Sequence, residues 1–183
     1  FNKITKKYDA VRRCTNEGYD CEKIAIEKIK HFISKDAMNI DGLGKKVVEN
    51  FWVHNLIRFP QDIYNLDYNK ISNLEGWGDL SVSNLKYSID RSKKVSLDKF
   101  LYAIGIRHIG IENAKLLAEH VKSIKNFIIL VNKDKLNEFL DIDGIGETQI
   151  NSLKKFFENK SNYKIIEKLS SQLNISDLKI NKD

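Results

Sequence analysis

Proline is nearly absent from this chain, and its absence bears on domain organisation. Only Pro60 is proline among 183 residues, and no stretch is rich in glycine and serine or low in complexity. Flexible linkers are built from such stretches, so the sequence predicts no linker that divides the chain. The length is enough to bury a core of ordinary size, in one domain or in two small ones.

Long apolar runs are also missing. The longest, residues 127–131, is far shorter than the roughly 20 residues with which a helix crosses a bilayer. Export signals begin with a charged segment followed by an apolar one, and the N-terminus of this sequence shows no such pattern. We therefore expect a cytosolic protein with no membrane partner. Because the chain opens on Phe1 rather than methionine and ends on a polar tail, we also expect a piece of a longer protein.

Glycine is scarce, but seven of the nine glycines fall in one recurring pattern, and an eighth, Gly105, lies just before its third instance. Two glycines flank a hydrophobic residue three times, and in a fourth instance histidine takes the first position. The four instances are Gly42/Gly44, Gly76/Gly78, His108/Gly110 and Gly144/Gly146. The second glycines are 34, 32 and 36 residues apart, which indicates an internal repeat.

A helix is predicted after each of these hairpins. Four residues beyond the second glycine comes a small or branched apolar residue, and further apolar residues follow at helical spacing. The four positions are Val48, Val82, Ala114 and Ile150. Strand signals are confined to residues 1–13, so the predicted fold class is mainly α, with helices from about Glu22 onward.

Hairpins of this kind are suited to binding an anion. Glycines at a helix N-terminus leave backbone N–H groups bare, and these groups bind phosphate well. The net charge of +6 and the pI near 9.1 favour a polyanionic partner. The hydrophobic residue inside each hairpin is expected to plug between the flanking helices; these residues are Leu43, Trp77, Ile109 and Ile145. One such hairpin is more often a plain turn, whereas four in near register favour nucleic-acid binding.

Local charge ranks the four hairpins. Lys45 follows the first hairpin directly, and Arg107 lies inside the third, so these two are predicted to bind phosphate best. Glu75 and Asp79 flank the second, and three carboxylates surround the fourth. Bulky substitutions at the second glycines of these two weaker hairpins are expected mainly to reduce stability.

The two cysteines, Cys14 and Cys21, lie close together in the sequence. Two thiolates across a loop can share one Zn²⁺, but a structural site needs four ligands and no second pair is present. A disulfide, which needs an oxidising compartment, and two unpaired thiols are the alternatives. His31 is a candidate third zinc ligand, and the simpler alternative is that it is an ordinary residue on a helix face.

Two longer runs carry a resemblance to a known family. Residues 13–16, Cys21 and residues 29–44 resemble the junction between zinc finger and helix-hairpin-helix domain in bacterial NAD-dependent DNA ligases, and residues 100–110 resemble that family's third hairpin. The resemblance implies a partial four-cysteine zinc finger over residues 1–22, four helix-hairpin-helix repeats in two pairs over residues 23–175, and a polar tail over residues 176–183. Cys14 and Cys21 would be two of the four zinc ligands. The six residues between them are one more than is usual in the family.

The resemblance also implies a function. The chain would be the DNA-binding region of the ligase, gripping the backbone of nicked double-stranded DNA without sequence preference while the full enzyme seals the 3′-OH/5′-phosphate nick in replication and repair. The family's nucleophile is the lysine of a Lys-x-Asp-Gly motif. Asn39 and Asp141 stand in its place before the two Asp-Gly steps here. No catalytic residue is therefore expected. NAD⁺ and Mg²⁺ would be used by the adenylation and OB-fold domains upstream, a BRCT domain would follow, and the chain would be a bacterial cytosolic monomer.

The implied DNA-binding residues are those of the hairpins: Gly42, Gly44, Lys45, Gly76, Gly78, Arg107, His108, Gly110, Gly144 and Gly146. Two alternatives stay open. One is a non-enzymatic tandem helix-hairpin-helix module of a repair or recombination protein. The other is a purely structural helical-repeat scaffold, which predicts no affinity for DNA.

Overall fold

The structure, a computed structural model, describes residues 18–178. The elements in this range are, in chain order, α1 (Glu22–Ile33), α2 (Lys45–Val53), the 3-10 helix η1 (Pro60–Asn65), α3 (Tyr68–Ser72), α4 (Asp79–Ser92), β1 (Lys94–Ser96), α5 (Leu97–Ala103), α6 (Ile111–Val121), α7 (Ile124–Asn132), the 3-10 helix η2 (Leu136–Asp141), α8 (Glu147–Glu158), α9 (Lys160–Gln172) and β2 (Asn174–Ser176). The predicted mainly α fold is confirmed.

The four hairpins each join two helical elements. They lie between α1 and α2, between α3 and α4, between α5 and α6, and between η2 and α8. In every case the helix that follows begins at the residue directly after the second glycine. The predicted order of hairpin and then helix is therefore present four times.

Helix α1 illustrates why these segments fold as they do. Its apolar residues recur at helical spacing, and Ala25, Ile29 and Phe32 are buried on one face. Glu22 lies in the first turn and Lys30 in the last, where each charge complements the helix dipole. The helix ends where Ser34 adopts an extended conformation, and the first hairpin follows.

Two short strands were not predicted. β1 and β2 pair in parallel, with Val95 opposite Ile175. Each strand has three residues, too few for an alternating pattern to be recognised, and the partners lie far apart in the sequence. The strands predicted within residues 1–13 lie outside the described residues.

The C-terminal segment is held to the rest of the fold beyond α9. β2 pairs with β1, and the amide of Leu178 donates a hydrogen bond of 3.3 Å to the carbonyl oxygen of Lys122. The boundary predicted at residue 175 between helical domain and tail therefore falls within β2.

One connected apolar core runs through the described residues. Its largest fully buried side chains are phenylalanines: Phe32, Phe51, Phe100, Phe127 and Phe139. The ring of Phe127 stacks on that of Phe139 with centroids 6.3 Å apart, so α7 contacts η2, the element that leads into the fourth hairpin. None of the helices in residues 18–178 has both the length and the apolar character needed to cross a lipid bilayer.

Candidate nucleic-acid interface

Each hairpin contains a tight turn, which explains why three of the four begin with a glycine. In the second hairpin the amide of Trp77 donates to the carbonyl oxygen of Leu74 at 3.2 Å, and the third and fourth hairpins repeat this bond at 3.1 Å. The residue before the hydrophobic plug has a positive φ in all four: 89° at Gly42, 84° at Gly76, 64° at His108 and 96° at Gly144. One positive φ at the third position is typical of a type II turn, where glycine is preferred.

His108 is the exception, because it takes this left-handed conformation with a side chain. The amide nitrogen Nδ2 of Asn113 donates to the His108 carbonyl oxygen at 3.0 Å and so helps to hold the turn. A left-handed backbone costs an L-residue roughly 1–2 kcal/mol. Glycine avoids that cost but raises the entropy of the unfolded chain, at about 0.4–1 kcal/mol.

We therefore expect His108→Gly to increase the free energy of unfolding modestly, as measured by urea denaturation. The reciprocal change Gly76→His, at the matched position of the second hairpin, is expected to decrease it. A decrease for His108→Gly would mean that the histidine side chain makes a stabilising contact which outweighs the backbone strain.

The second glycines are not required by the fold. Their φ angles are −85° at Gly44, −125° at Gly78, −85° at Gly110 and −114° at Gly146, which any residue can adopt. A Cβ atom added at Gly44, Gly78 or Gly110 would meet no atom within 4 Å beyond the glycine and its two chain neighbours. At Gly78 the backbone is relaxed and the surroundings are open, so a substitution there meets no steric obstacle, and the expected loss of stability stays a prediction. Glycine at these positions leaves the adjoining amides accessible from outside.

The amides of the second glycines fall into two classes. Gly78 N–H donates to the hydroxyl of Ser81, and Gly146 N–H donates to Oε1 of Gln149, each at 2.9 Å. Val47 occupies the matching position after the first hairpin and offers no acceptor. Among residues 18–178, neither Gly44 nor Gly110 donates its amide to another group. We call residues 40–44 and 106–110 the open hairpins, and residues 74–78 and 142–146 the capped hairpins.

Charge follows the same division. The open hairpins carry exposed cations: Lys45 and Lys46 directly after Gly44, and Arg107 within the turn before Gly110. Lys45 Nζ is 4.0 Å from a carboxylate oxygen of Glu49, a loose pair on an exposed helix surface. The capped hairpins carry carboxylates in the same places. Free amides and cations therefore coincide at two of the four hairpins.

Three of the four predicted hydrophobic plugs are buried, and the fourth is partly so. Leu43, Ile109 and Ile145 are buried, with exposed fractions of 4 to 6%. Trp77 is half-buried, and its ring centroid is 5.6 Å from that of Phe51. The plugs fix each turn on the core and leave its outer edge exposed.

Of the two predicted zinc ligands, only Cys21 lies within the described residues. Cys21 is the residue directly before α1, and Cys14 lies outside the described residues. Across residues 18–178 no three His, Cys, Asp or Glu side chains are grouped to hold a metal ion. The described residues therefore do not form a zinc site by themselves. His31 is engaged elsewhere, with Nε2 2.7 Å from the carbonyl oxygen of Tyr102 and its ring against the Tyr102 ring.

Comparison with known proteins finds similarity to a known motif and to bacterial DNA ligases. Residues 99–166, which include the third and fourth hairpins, match the model of the helix-hairpin-helix motif. The chain is 58% identical over 178 residues to a DNA ligase of Pelagibacter ubique, covering 97% of this chain and 26% of that protein. It is 43% identical over 183 residues to a DNA ligase of Rickettsia massiliae, covering 93% of this chain and 26% of that protein. The chain thus spans about a quarter of the length of the curated relatives it matches.

Proposed function

This chain is homologous to a segment of the bacterial DNA ligases, as its motifs predicted, and on that premise we propose that it is the region through which such an enzyme holds nicked duplex DNA. The open hairpins would bind the sugar-phosphate backbone, and the capped hairpins would mainly support them. The rest of the longer protein would carry out the reaction in the bacterial cytosol.

One observation carries the proposal. At Gly44 and Gly110 neither the backbone conformation nor the internal packing calls for glycine. Each leaves its amide exposed near a cation in the sequence, with no acceptor for it among residues 18–178. Amides at a helix N-terminus bind phosphate oxygens through charge-assisted hydrogen bonds. Contacts of this kind carry no base identity. A nick can occur in any sequence, so backbone recognition suits a ligase.

Nick sealing by the whole protein is also part of the proposal. Adenylation by NAD⁺ and sealing with Mg²⁺ would belong to domains outside this chain, since neither Asp-Gly step follows the lysine of an adenylation motif. The zinc half-site of Cys14 and Cys21 stays a prediction, to be completed by two upstream thiolates. We further propose that the chain is monomeric.

The purified chain is expected to bind duplexes of unrelated sequence with equal affinity and to seal no nick in the presence of NAD⁺ and Mg²⁺. Fluorescence anisotropy at several salt concentrations should give a linear fall of log affinity with log salt, because each neutralised phosphate releases counterions. A gel assay on a labelled nicked duplex measures sealing. Sealing by this chain would contradict the proposed division of labour, and absence of DNA binding would favour the structural scaffold.

A further inference from the structure

Packing contacts join the first hairpin with the second, and the third with the fourth. A Cβ atom placed on Gly42 in the first hairpin would lie 3.7 Å from Cδ1 of Leu85 in α4, the helix that follows the second hairpin. A Cβ atom on Gly144 in the fourth hairpin would lie 2.9 Å from Cδ1 of Leu116 in α6, the helix that follows the third. Each of these two groups contains one open and one capped hairpin. The two open hairpins therefore belong to different groups.

The helices that lead into the two open hairpins meet at His31. Helix α1 leads into the first hairpin and α5 into the third. Nε2 of His31 in α1 donates a hydrogen bond of 2.7 Å to the carbonyl oxygen of Tyr102 in α5, and the two rings meet edge to face with centroids 4.6 Å apart. A Cβ atom on Gly105, directly before the third hairpin, would lie 3.4 Å from Cδ2 of His31. The imidazole thus lies against both the helix and the start of the open hairpin.

The hydrogen bond gives this contact a direction. Apolar burial is non-directional, so apolar contacts alone leave packed helices some freedom to shift. A hydrogen bond weakens when its distance or angle changes. The other end of the contact is also held, because the hydroxyl of Ser34, directly after α1, donates to the His31 carbonyl oxygen at 2.6 Å. A shift of α1 relative to α5 would break the bond between His31 and Tyr102, which is unfavourable for a half-buried donor.

We propose that His31 is a positioning residue that fixes the spacing between the two open hairpins, so that one DNA duplex can engage both at once. The inference rests on the proposed function, in which the amides of Gly44 and Gly110 bind the backbone. Two linked sites bind a matching ligand more tightly than either alone, because binding at the first places the second at a high effective concentration. That gain is lost when the spacing does not match. His31 would therefore act on DNA affinity without touching DNA.

The first test measures the duplex DNA affinity of His31 variants of the 183-residue chain by fluorescence anisotropy. His31→Ala is expected to weaken binding about tenfold, a part of the roughly 10²–10⁴-fold gain that two linked sites provide. His31→Gln keeps a side-chain N–H donor and should restore most of the affinity. His120→Ala is the matched control and should keep the affinity, because the His120 ring contacts Phe139, 5.7 Å away between centroids, within the third and fourth hairpin group.

Salt dependence separates positioning from direct contact. His31→Ala should lower the affinity and leave the salt slope close to that of the wild-type chain, because the same phosphates are neutralised. Arg107→Ala, by comparison, should lower the slope by about one. A slope lowered by one or more in His31→Ala would mean that a phosphate contact itself is lost, and the inference would be overturned.

A double-mutant cycle with Gly44→Val tests the coupling of the two hairpins. With the first hairpin blocked, the duplex is held by the third alone, and the spacing between the hairpins no longer matters. His31→Ala should therefore weaken binding in the otherwise wild-type chain and have little effect in the Gly44→Val chain. An equal loss in both backgrounds would mean that His31 only stabilises the third hairpin, which contradicts the proposal. Gly110→Val gives the same test for the first hairpin.

Urea denaturation should confirm that each variant is folded during the titrations. His31→Phe keeps the ring contact and loses only the hydrogen bond, so it replaces His31→Ala in the cycle if that variant unfolds. A chain that binds DNA through Gly44 and Gly110 but is insensitive to the His31 variants keeps the proposed function and loses only this inference. A wild-type chain without DNA affinity would remove both.

Discussion

Replacing Gly110 with valine is expected to reduce the affinity for duplex DNA at least tenfold while the chain remains folded. The valine side chain would occupy the open space in which a strand has to approach the amide, because beyond Gly110 and its two chain neighbours no atom lies within 4 Å of the added Cβ. A hydrogen bond to a charged group contributes about 1.5–3 kcal/mol, and about 1.4 kcal/mol corresponds to a factor of ten. Gly44→Val in the other open hairpin should have the same effect.

Gly78→Val is the matched control for this experiment. Its backbone is also extended and its surroundings are equally open, so the cost of valine at the residue before a helix is shared by all three variants. The amide of Gly78 is already bound to Ser81, and we expect little loss of DNA affinity there. Anisotropy titrations should be paired with urea unfolding of each variant.

Equal losses of affinity at Gly44, Gly78 and Gly110 would contradict the division into open and capped hairpins while leaving DNA binding intact. Arg107→Ala gives an independent check, since removal of one phosphate contact should lower the salt slope by about one. An unchanged slope would remove Arg107 from the interface.

The largest effect on stability is expected for Phe127→Ala. The side chain is fully buried, with its ring 6.3 Å from Phe139 and 5.8 Å from Phe157 between centroids. Truncating a buried phenylalanine costs about 3–5 kcal/mol, because apolar contacts are lost and a cavity remains. That is a large share of the roughly 5–15 kcal/mol that stabilises a typical domain.

Ile129→Ala on the same helix is the control, because its side chain is 38% exposed and leaves no closed cavity. Urea denaturation followed by circular dichroism should show a much lower midpoint for Phe127→Ala and a small shift for Ile129→Ala. Similar shifts for the two variants would mean that α7 is not packed as described.

The repeat could be read from the sequence because its elements are local. A left-handed turn residue, a hydrophobic plug, a glycine before the helix and apolar residues at helical spacing all lie within a short stretch of chain. Short-range geometry fixes each of these requirements, so helices were predicted after the second glycines, where α2, α4, α6 and α8 begin. The resemblance to DNA ligases followed from the same local motifs.

The capping of two hairpins had a local signal that was missed. Ser81 and Gln149 each lie three residues after the second glycine, where a polar side chain can bind the preceding amide. Asn113 lies at the same position after the third hairpin but donates to the His108 carbonyl oxygen instead, so this pattern alone does not separate the capped hairpins from the open ones. Charge alone ranked the hairpins in the same order. The structure supplies a physical reason for this order: the Gly78 and Gly146 amides already donate to side chains, so they are less available to bind a phosphate.

What the sequence by itself determined was the mainly α class, the four hairpins and their likeness to a ligase segment. Only the tertiary structure decided which parts of the chain meet. In the apolar run at residues 127–131 only Phe127 is buried. The partner of β1 is β2, at the far end of the described chain, and His31 in α1 meets Tyr102 in α5. Such contacts depend on how helices pack across long sequence separations, and no local pattern of residue types encodes that packing.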